Sequence, residues 1–66
     1  MTDWKGLIGK RVLLRSKALY NIVEVEVLEV SPSGDYVKLR YMSSKGEIWE
    51  DCEDLERLYT IAEVLD

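Results

Sequence analysis

Apolar and charged residues alternate along VEVEVLEV, residues 23–30, and the alternation changes step partway through. The three valines at odd positions share one parity, whereas Leu28 and Val30 stand on the other. Period-two alternation is typical of a strand with one buried face. One extra residue inserted as a β-bulge returns the later apolar side chains to that face. We therefore predict a long second strand over residues 22–30 with a bulge near Val27.

The turn SPSGD, residues 31–35, sets how this strand pairs with the next, because Pro32 restricts φ and Gly34 can adopt a positive φ. With Ser33 and Gly34 at the tip, the apolar residues face inward and each glutamate lies beside a base. Opposite charges across strands contribute roughly 0.2–1 kcal/mol per pair, so we interpret the glutamates as a solvated face. The predicted inward pairs are Val30–Val37, Leu28–Leu39 and Val25–Tyr41, and the outward pairs are Glu29–Lys38 and Glu26–Arg40.

Turn residues divide the rest of the chain at the close spacing expected of an all-β domain. We predict a loop over 16–21, a turn over 43–46, and a short helical or 3₁₀ turn within the acidic segment 51–58. The tail has two interpretations. Thr60 with Glu63 matches a capping box for one helical turn, and a fifth strand over 58–61 is the alternative. The other predicted strands are Arg11–Arg15, Tyr36–Met42 and Glu47–Glu50.

The order of these elements resembles the SH3-like barrels, and within them the Tudor and chromo-barrel type. The resemblance is carried by GKRV at 9–12, VEVLEVS at 25–31 with GD at 34–35, VKLRY at 37–41 and DL at 54–55. It implies an all-β fold, a five-stranded SH3-like (Tudor-like) barrel over about 9–61, within one domain of residues 1–66.

The same resemblance implies where a ligand cage would stand. Tudor domains that read methylated lysine or arginine hold the cation among aromatic ring faces. The corresponding positions in this chain are near Ser16, near Tyr20 or Val23, at Tyr41 and near Ser44. Two of these positions carry serine, so the aromatic cage is incomplete.

Composition excludes several classes of site. Cys52 is the only cysteine and histidine is absent, so neither an internal disulfide nor a structural zinc site is expected. Without histidine there is no Cys–His pair and no conventional triad. The acidic stretch EDCED, residues 50–54, lacks the spacing of an EF-hand loop. We therefore expect no enzyme activity, no cofactor and no bound metal.

The chain also lacks recognisable targeting segments. Its start has no apolar run typical of a signal peptide, and no stretch approaches the ~20 apolar residues of a spanning helix. A reducing, cytoplasmic location without membrane association is the expectation.

Charge and aromatic residues give the main functional hypothesis. Residues 47–66 carry eight acids against Arg57 alone, and Trp49 points outward if Ile48 points inward. An exposed tryptophan often marks an interface, whereas Trp4 is expected to fold back as a plug on the small core. We predict a non-catalytic module that binds a protein partner carrying basic residues. The predicted aromatic patch is Tyr20, Tyr36, Tyr41 and Trp49, and the predicted acidic residues are Glu50, Asp51, Glu53 and Asp54.

Two alternatives stay open. Residues 1–20 carry five bases against Asp3 alone, and phosphate contacts from this region would make the chain a nucleic-acid-binding barrel. A continuous positive stripe would favour that alternative, although the isoelectric point of about 4.7 argues against it. In the second alternative the chain is a structural subunit of a larger assembly. The sequence leaves open whether the chain itself is a monomer or a homodimer. The candidate nucleic-acid-binding residues are Lys10, Arg11, Arg15 and Lys17.

Overall fold

The computed structural model describes residues 2–65, which form five strands, one short α-helix and one 3₁₀ turn. The predictions of an all-β fold and of a short helix within 51–58 are confirmed. Each of the first four strands agrees with its predicted bounds to within one residue at either end. The elements in chain order are the 3₁₀ turn Lys5–Leu7, β1 Arg11–Ser16, β2 Ile22–Val30, β3 Tyr36–Tyr41, β4 Glu47–Asp51, α1 Cys52–Leu58 and β5 Tyr59–Val64.

The five strands make one antiparallel sheet in the order β4-β3-β2-β1-β5. Consecutive strands from β1 to β4 are neighbours, because each is joined to the next by a short turn or loop. The last strand returns to the other side of β1 after α1. The described sheet is therefore open, with β4 and β5 as its two edges.

The predicted bulge near Val27 in β2 is confirmed. Its register with β3 shifts between Val27 and Glu29, so Leu28 is the extra residue. Four of the five predicted pairs are confirmed. The prediction that Leu28 faces Leu39 is wrong, because Val27 occupies that place and is fully buried. The confirmed pairs are Val25–Tyr41, Glu26–Arg40, Glu29–Lys38 and Val30–Val37.

The hairpin between β2 and β3 closes as its turn residues suggest. Gly34 has a φ of 81°, a left-handed conformation that glycine adopts without a Cβ clash. The Ser31 hydroxyl accepts a hydrogen bond from the Tyr36 amide at 3.0 Å. The Ser31 amide in turn donates to the Tyr36 carbonyl at 2.8 Å. These bonds fix the start of β3 and hence the register of the whole pair.

The tail forms a strand, β5. The prediction of a strand over 58–61 is therefore confirmed as to the type of element, and the prediction of a capping-box helix is wrong. β5 pairs with β1 so that Ile61 lies opposite Leu14 and Tyr59 opposite Ser16. Both β5 side chains pack against the buried core. This pairing with β1 outweighs a local capping signal, since tertiary contacts routinely override weak helix preferences.

The core lies on one face of the sheet, and α1 and the N-terminal segment cover it. Trp4 is only 5% exposed, which confirms that it folds back as a plug. The inner face of the sheet supplies six aliphatic side chains, two each from β1, β2 and β3. The buried core consists of Trp4, Val12, Leu14, Val25, Val27, Val37, Leu39, Cys52 and Leu55.

Candidate functional site

Two aromatic residues are neighbours on the outer face of the sheet, the face that is turned away from the core. Trp49 pairs with Lys38, and Tyr36 pairs with Asp51, on adjacent strands β4 and β3. Tyr36 and Trp49 are therefore diagonal neighbours, at a separation of roughly 7–8 Å that aromatic side chains can bridge. They are 48% and 47% exposed, respectively. The predicted outward orientation of Trp49 is thus observed, next to Tyr36.

The other two predicted aromatics lie elsewhere. Tyr41 is on the inner face, where its hydroxyl donates to Glu50 Oε2 at 2.9 Å. Burial, followed by the hydrogen bond to the Glu50 carboxylate, raises the pKa of Tyr41 well above its usual value. Tyr20 is in the loop between β1 and β2, 78% exposed, at the opposite end of β2 from Tyr36. The four predicted aromatics thus separate into one pair and two single residues.

An acidic groove of about 440 Å³ opens beside Tyr36. Four carboxylates line it, and none of its described lining residues is lysine or arginine. Two aromatic side chains complete its walls. The residues that matter for its chemistry are Asp35, Asp51, Glu53 and Glu56, together with Tyr36 and Trp4.

The junction between β4 and α1 positions two of the predicted acids in this groove. Asp51 is the N-cap of α1, and its Oδ1 accepts hydrogen bonds from the Glu53 and Asp54 amides at 2.9 and 3.1 Å. This cap satisfies two amides at the helix start. Glu53 follows in the first turn, where a negative charge is favoured by the helix dipole. Asp51 and Glu53 are the predicted acids that line the groove.

The remaining two predicted acids point away from the groove. Glu50 lies on the inner face and accepts the Tyr41 hydroxyl. Asp54 forms an ion pair with Arg57 at 2.8 Å along the surface of α1. A role for either residue in binding a partner stays a prediction.

The groove gains two residues from distant parts of the chain that the sequence did not single out for this site. Asp35 comes from the β2–β3 turn and is brought to α1 because the Cys52 amide donates to its carbonyl at 2.9 Å. Trp4 comes from the N-terminal segment, and its Nε1 donates to Glu56 Oε2 at 3.3 Å. Glu56 itself falls within the acidic segment noted in the sequence.

Outside the groove, several glutamates of the outer face form ion pairs with neighbouring bases. Arg40 contacts Glu26 at 3.1 Å and Glu47 at 2.7 Å. The hydrogen bond from Arg40 lowers the pKa of Glu47, and Lys38 pairs with Glu29 at 3.8 Å. Among the described residues, the four groove carboxylates have no such ion pair. The negative charge of the groove is therefore available to a positively charged ligand.

The four candidate nucleic-acid-binding residues do not form an uninterrupted stripe. Arg11 Nη1 contacts Glu24 Oε2 at 3.1 Å, and Lys17 Nζ donates to the Glu56 carbonyl at 2.9 Å. Arg15 is exposed on β1 and Lys10 precedes that strand. On the outer face, Glu63 lies opposite Leu13, between the two arginines. Acids from both neighbouring strands thus interleave with these bases.

Cys52 is buried at the start of α1, where burial raises the pKa of its thiol. A thiol with a raised pKa holds little thiolate and is a poor nucleophile. Within residues 2–65, no group of three or more Cys, Asp or Glu side chains is arranged to hold a metal ion. No described helix is long and apolar enough to span a membrane.

Comparisons with known proteins do not identify a family for this chain. A scan against protein-family models found no match, and searches of curated proteins and of solved structures found no significant match.

Proposed function

We propose that this protein is a non-catalytic interaction module that binds a basic segment of a protein partner. Tyr36 and Trp49 supply the apolar anchor, and the acidic groove supplies the charge. One observation carries the proposal: Tyr36, the diagonal neighbour of exposed Trp49, lines a groove with four carboxylates and no described lining base.

The physical basis is that aromatic and charged residues contribute differently to binding at protein interfaces. Exposed aromatic surface becomes buried when a partner binds, and tryptophan and tyrosine are enriched among binding hot spots. Carboxylates beside them steer basic partners and reject acidic ones. Tyr36 belongs to both features, because it lies next to Trp49 and lines the groove. A lysine or arginine in the groove would contact the aromatic wall as well as the acids.

We further propose that the fold is an open barrel of the SH3-like, Tudor-like type. The strand order, the bent β2 and the short helix before the last strand support this assignment. The aromatic ligand cage that the resemblance to Tudor domains implies is not part of this proposal. Ser16 is buried and its hydroxyl accepts the Leu19 amide at 3.1 Å, while the Tyr41 hydroxyl is bonded to Glu50.

The nucleic-acid alternative is less well supported than the protein-binding proposal. Phosphate binding needs bases whose charge is not already offset, and here Glu24 contacts Arg11. In the role as a structural subunit, the aromatic patch would be the contact buried in the assembly, and a size measurement on the isolated chain separates that role from a monomeric binder.

The test is a two-dimensional amide NMR titration of the full chain at low and physiological salt. The ligands are the peptide acetyl-TKKLVKT-amide, the same peptide with glutamates in place of lysines, a short DNA duplex and single-stranded RNA. Shifts at Tyr36, Trp49 and Glu53 with the lysine peptide alone are expected. Shifts around Lys10 to Lys17 with nucleic acid, lost at higher salt, would instead establish the nucleic-acid alternative.

Two pairs of variants sharpen this titration. Trp49→Ala is expected to weaken the lysine peptide at least about tenfold, as loss of a hot spot does. Leu19→Ala, which truncates an exposed loop residue, is the matched control and should bind normally. Asp35→Asn with Glu53→Gln is expected to weaken binding and its salt dependence. Asp54→Asn is the control outside the groove. Equal affinities across both pairs would refute the proposed site.

A further inference from the structure

Strand β4 is an edge strand with an open side. It pairs with β3 over five consecutive residues, from Tyr36–Asp51 to Arg40–Glu47, without a register shift. Ile48 shares the inner face with fully buried Leu39, its partner on β3, yet Ile48 is 48% exposed. The side of β4 away from β3 is thus open to solvent.

The hydrogen-bond pattern shows which backbone groups point toward that open side. The Tyr41 amide donates to the Gly46 carbonyl, and the Cys52 amide donates to the Asp35 carbonyl, at the two ends of the ladder. Bonded and non-bonded pairs alternate in an antiparallel ladder. Ile48 and Glu50 therefore bond to β3, whereas the backbone groups of Glu47, Trp49 and Asp51 point away from β3.

The other edge of the sheet is less suited to pairing. The register of β5 with β1 shifts between Leu13 and Leu14. A bulge bends and twists an edge strand, which is one way that proteins prevent edge pairing. β4 has no such interruption.

Charge decides what kind of strand β4 accepts. Its sequence, EIWED, has three acids and no base. A second copy of β4 would place like charges side by side, which destabilises strand pairing. We infer that β4 binds an extended basic segment of a protein partner as a sixth strand. This inference rests on the proposed function and adds the geometry of binding, which is strand addition.

The faces of β4 specify the side chains of that segment. On the outer face it would place basic residues beside Glu47 and Asp51 and an apolar residue beside Trp49. On the inner face it would place an apolar residue beside Ile48 and a basic residue beside Glu50. The peptide TKKLVKT has this pattern in antiparallel register, with its leucine opposite Trp49 and its valine opposite Ile48.

Backbone methylation of the peptide tests the inference. The leucine amide would donate to β4, so N-methyl-leucine is expected to weaken binding at least tenfold. The valine amide would point away from β4, so the N-methyl-valine peptide should bind within twofold of the parent. In the protein, exchange of the Glu47 and Trp49 amide hydrogens should slow on binding, while the Ile48 and Glu50 amides are already protected.

The outcomes separate this inference from the proposed function. Equal tolerance of both methylated peptides, with binding still lost in Trp49→Ala, overturns strand addition and leaves the proposed site intact. Failure of the lysine peptide to bind better than the glutamate peptide overturns both. Dimerisation of the chain with protection of the same amides would show that a second copy, not a basic partner, occupies the edge.

Discussion

Deletion of Leu28 is the sharpest test of how this fold is built. Leu28 is the extra residue of the β2 bulge, between Val27 and Glu29. Removing it leaves a strand in perfect alternation, with every remaining residue still opposite its present partner on β3. The deletion therefore preserves the pairing and removes only the bend and one side chain. A bulge is the device that curves a sheet around a core, so the bend is expected to be essential.

The expected magnitude follows from burial. Full burial of a leucine side chain stabilises a protein by about 1.5–3 kcal/mol, and Leu28 is half-buried. Leu28→Ala should thus lower the free energy of unfolding by about 1 kcal/mol. A flattened sheet also loosens the contacts of β2 and β3 with the core, and losing one large core side chain alone costs about 2–5 kcal/mol. We expect deletion to cost about 3 kcal/mol or more, from a total of roughly 3–10 kcal/mol for a chain of this length.

Urea denaturation, followed by circular dichroism and tryptophan fluorescence, measures both variants. Deletion of Ala18, in the exposed loop between β1 and β2, controls for shortening the chain. The prediction requires a clear gap between the two changes at Leu28. If deletion costs no more than Leu28→Ala, the bend contributes nothing and the reasoning from curvature is refuted.

Two further predictions concern Tyr41 and the N-cap of α1. The pKa of Tyr41 is raised in the folded chain. Above the ordinary tyrosine pKa of about 10, the unfolded chain therefore loses the Tyr41 proton first. The free energy of unfolding then falls as pH rises. Urea titrations should therefore show that the parent chain loses its advantage in free energy of unfolding over Tyr41→Phe when the pH is raised from 7 to above about 10. A difference between the two chains that stays constant with pH would contradict this. Asp51→Ala removes the α1 N-cap and should lower the free energy of unfolding by about 1 kcal/mol. Thermal denaturation measures it against Glu53→Gln, which keeps the cap, and equal melting temperatures would contradict the role of Asp51.

The pairing of β2 with β3 was predictable because two independent constraints agree there. The period-two pattern assigns each residue to a face, and the turn around Gly34 fixes the register. The error at Leu28 has a simple cause. The pattern shows that a register shift occurs, but both Val27 and Leu28 are apolar, so hydrophobicity alone does not say which of them is the extra residue.

The tail was less predictable because its outcome depends on contacts with a distant strand. Thr60 and Glu63 satisfy a helix-capping pattern locally. In the fold, Thr60 instead lies opposite Arg15 and Glu63 opposite Leu13. Pairing with β1 lets Tyr59 and Ile61 cover the core, and no local pattern contains that information.

The candidate site was predicted in its residue types and only partly in its location. Parity in β4 places Trp49 on the outer face, and the cross-strand register places Tyr36 beside it. Asp35 and Trp4 were missed because the groove gathers them from a turn and from the N-terminal segment. The sequence did contain one signal for Asp35. Asp35 directly precedes Tyr36 at the start of β3, and the neighbouring strand β4 leads into α1.

The distribution of charge supports the proposal of one partner-binding region. The bases of β1 and β3 are largely offset by glutamates of the outer face, as in the contacts Arg11–Glu24 and Arg40–Glu26. Those pairs are exposed, and such pairs contribute little to stability. These ion pairs leave the groove beside α1 as a cluster of four carboxylates without an ion pair among the described residues. Asp51 both ends β4 and lines the groove. The proposed ligand, an extended basic chain, would therefore meet charge, the Trp49 side chain and backbone hydrogen-bonding groups along one strand.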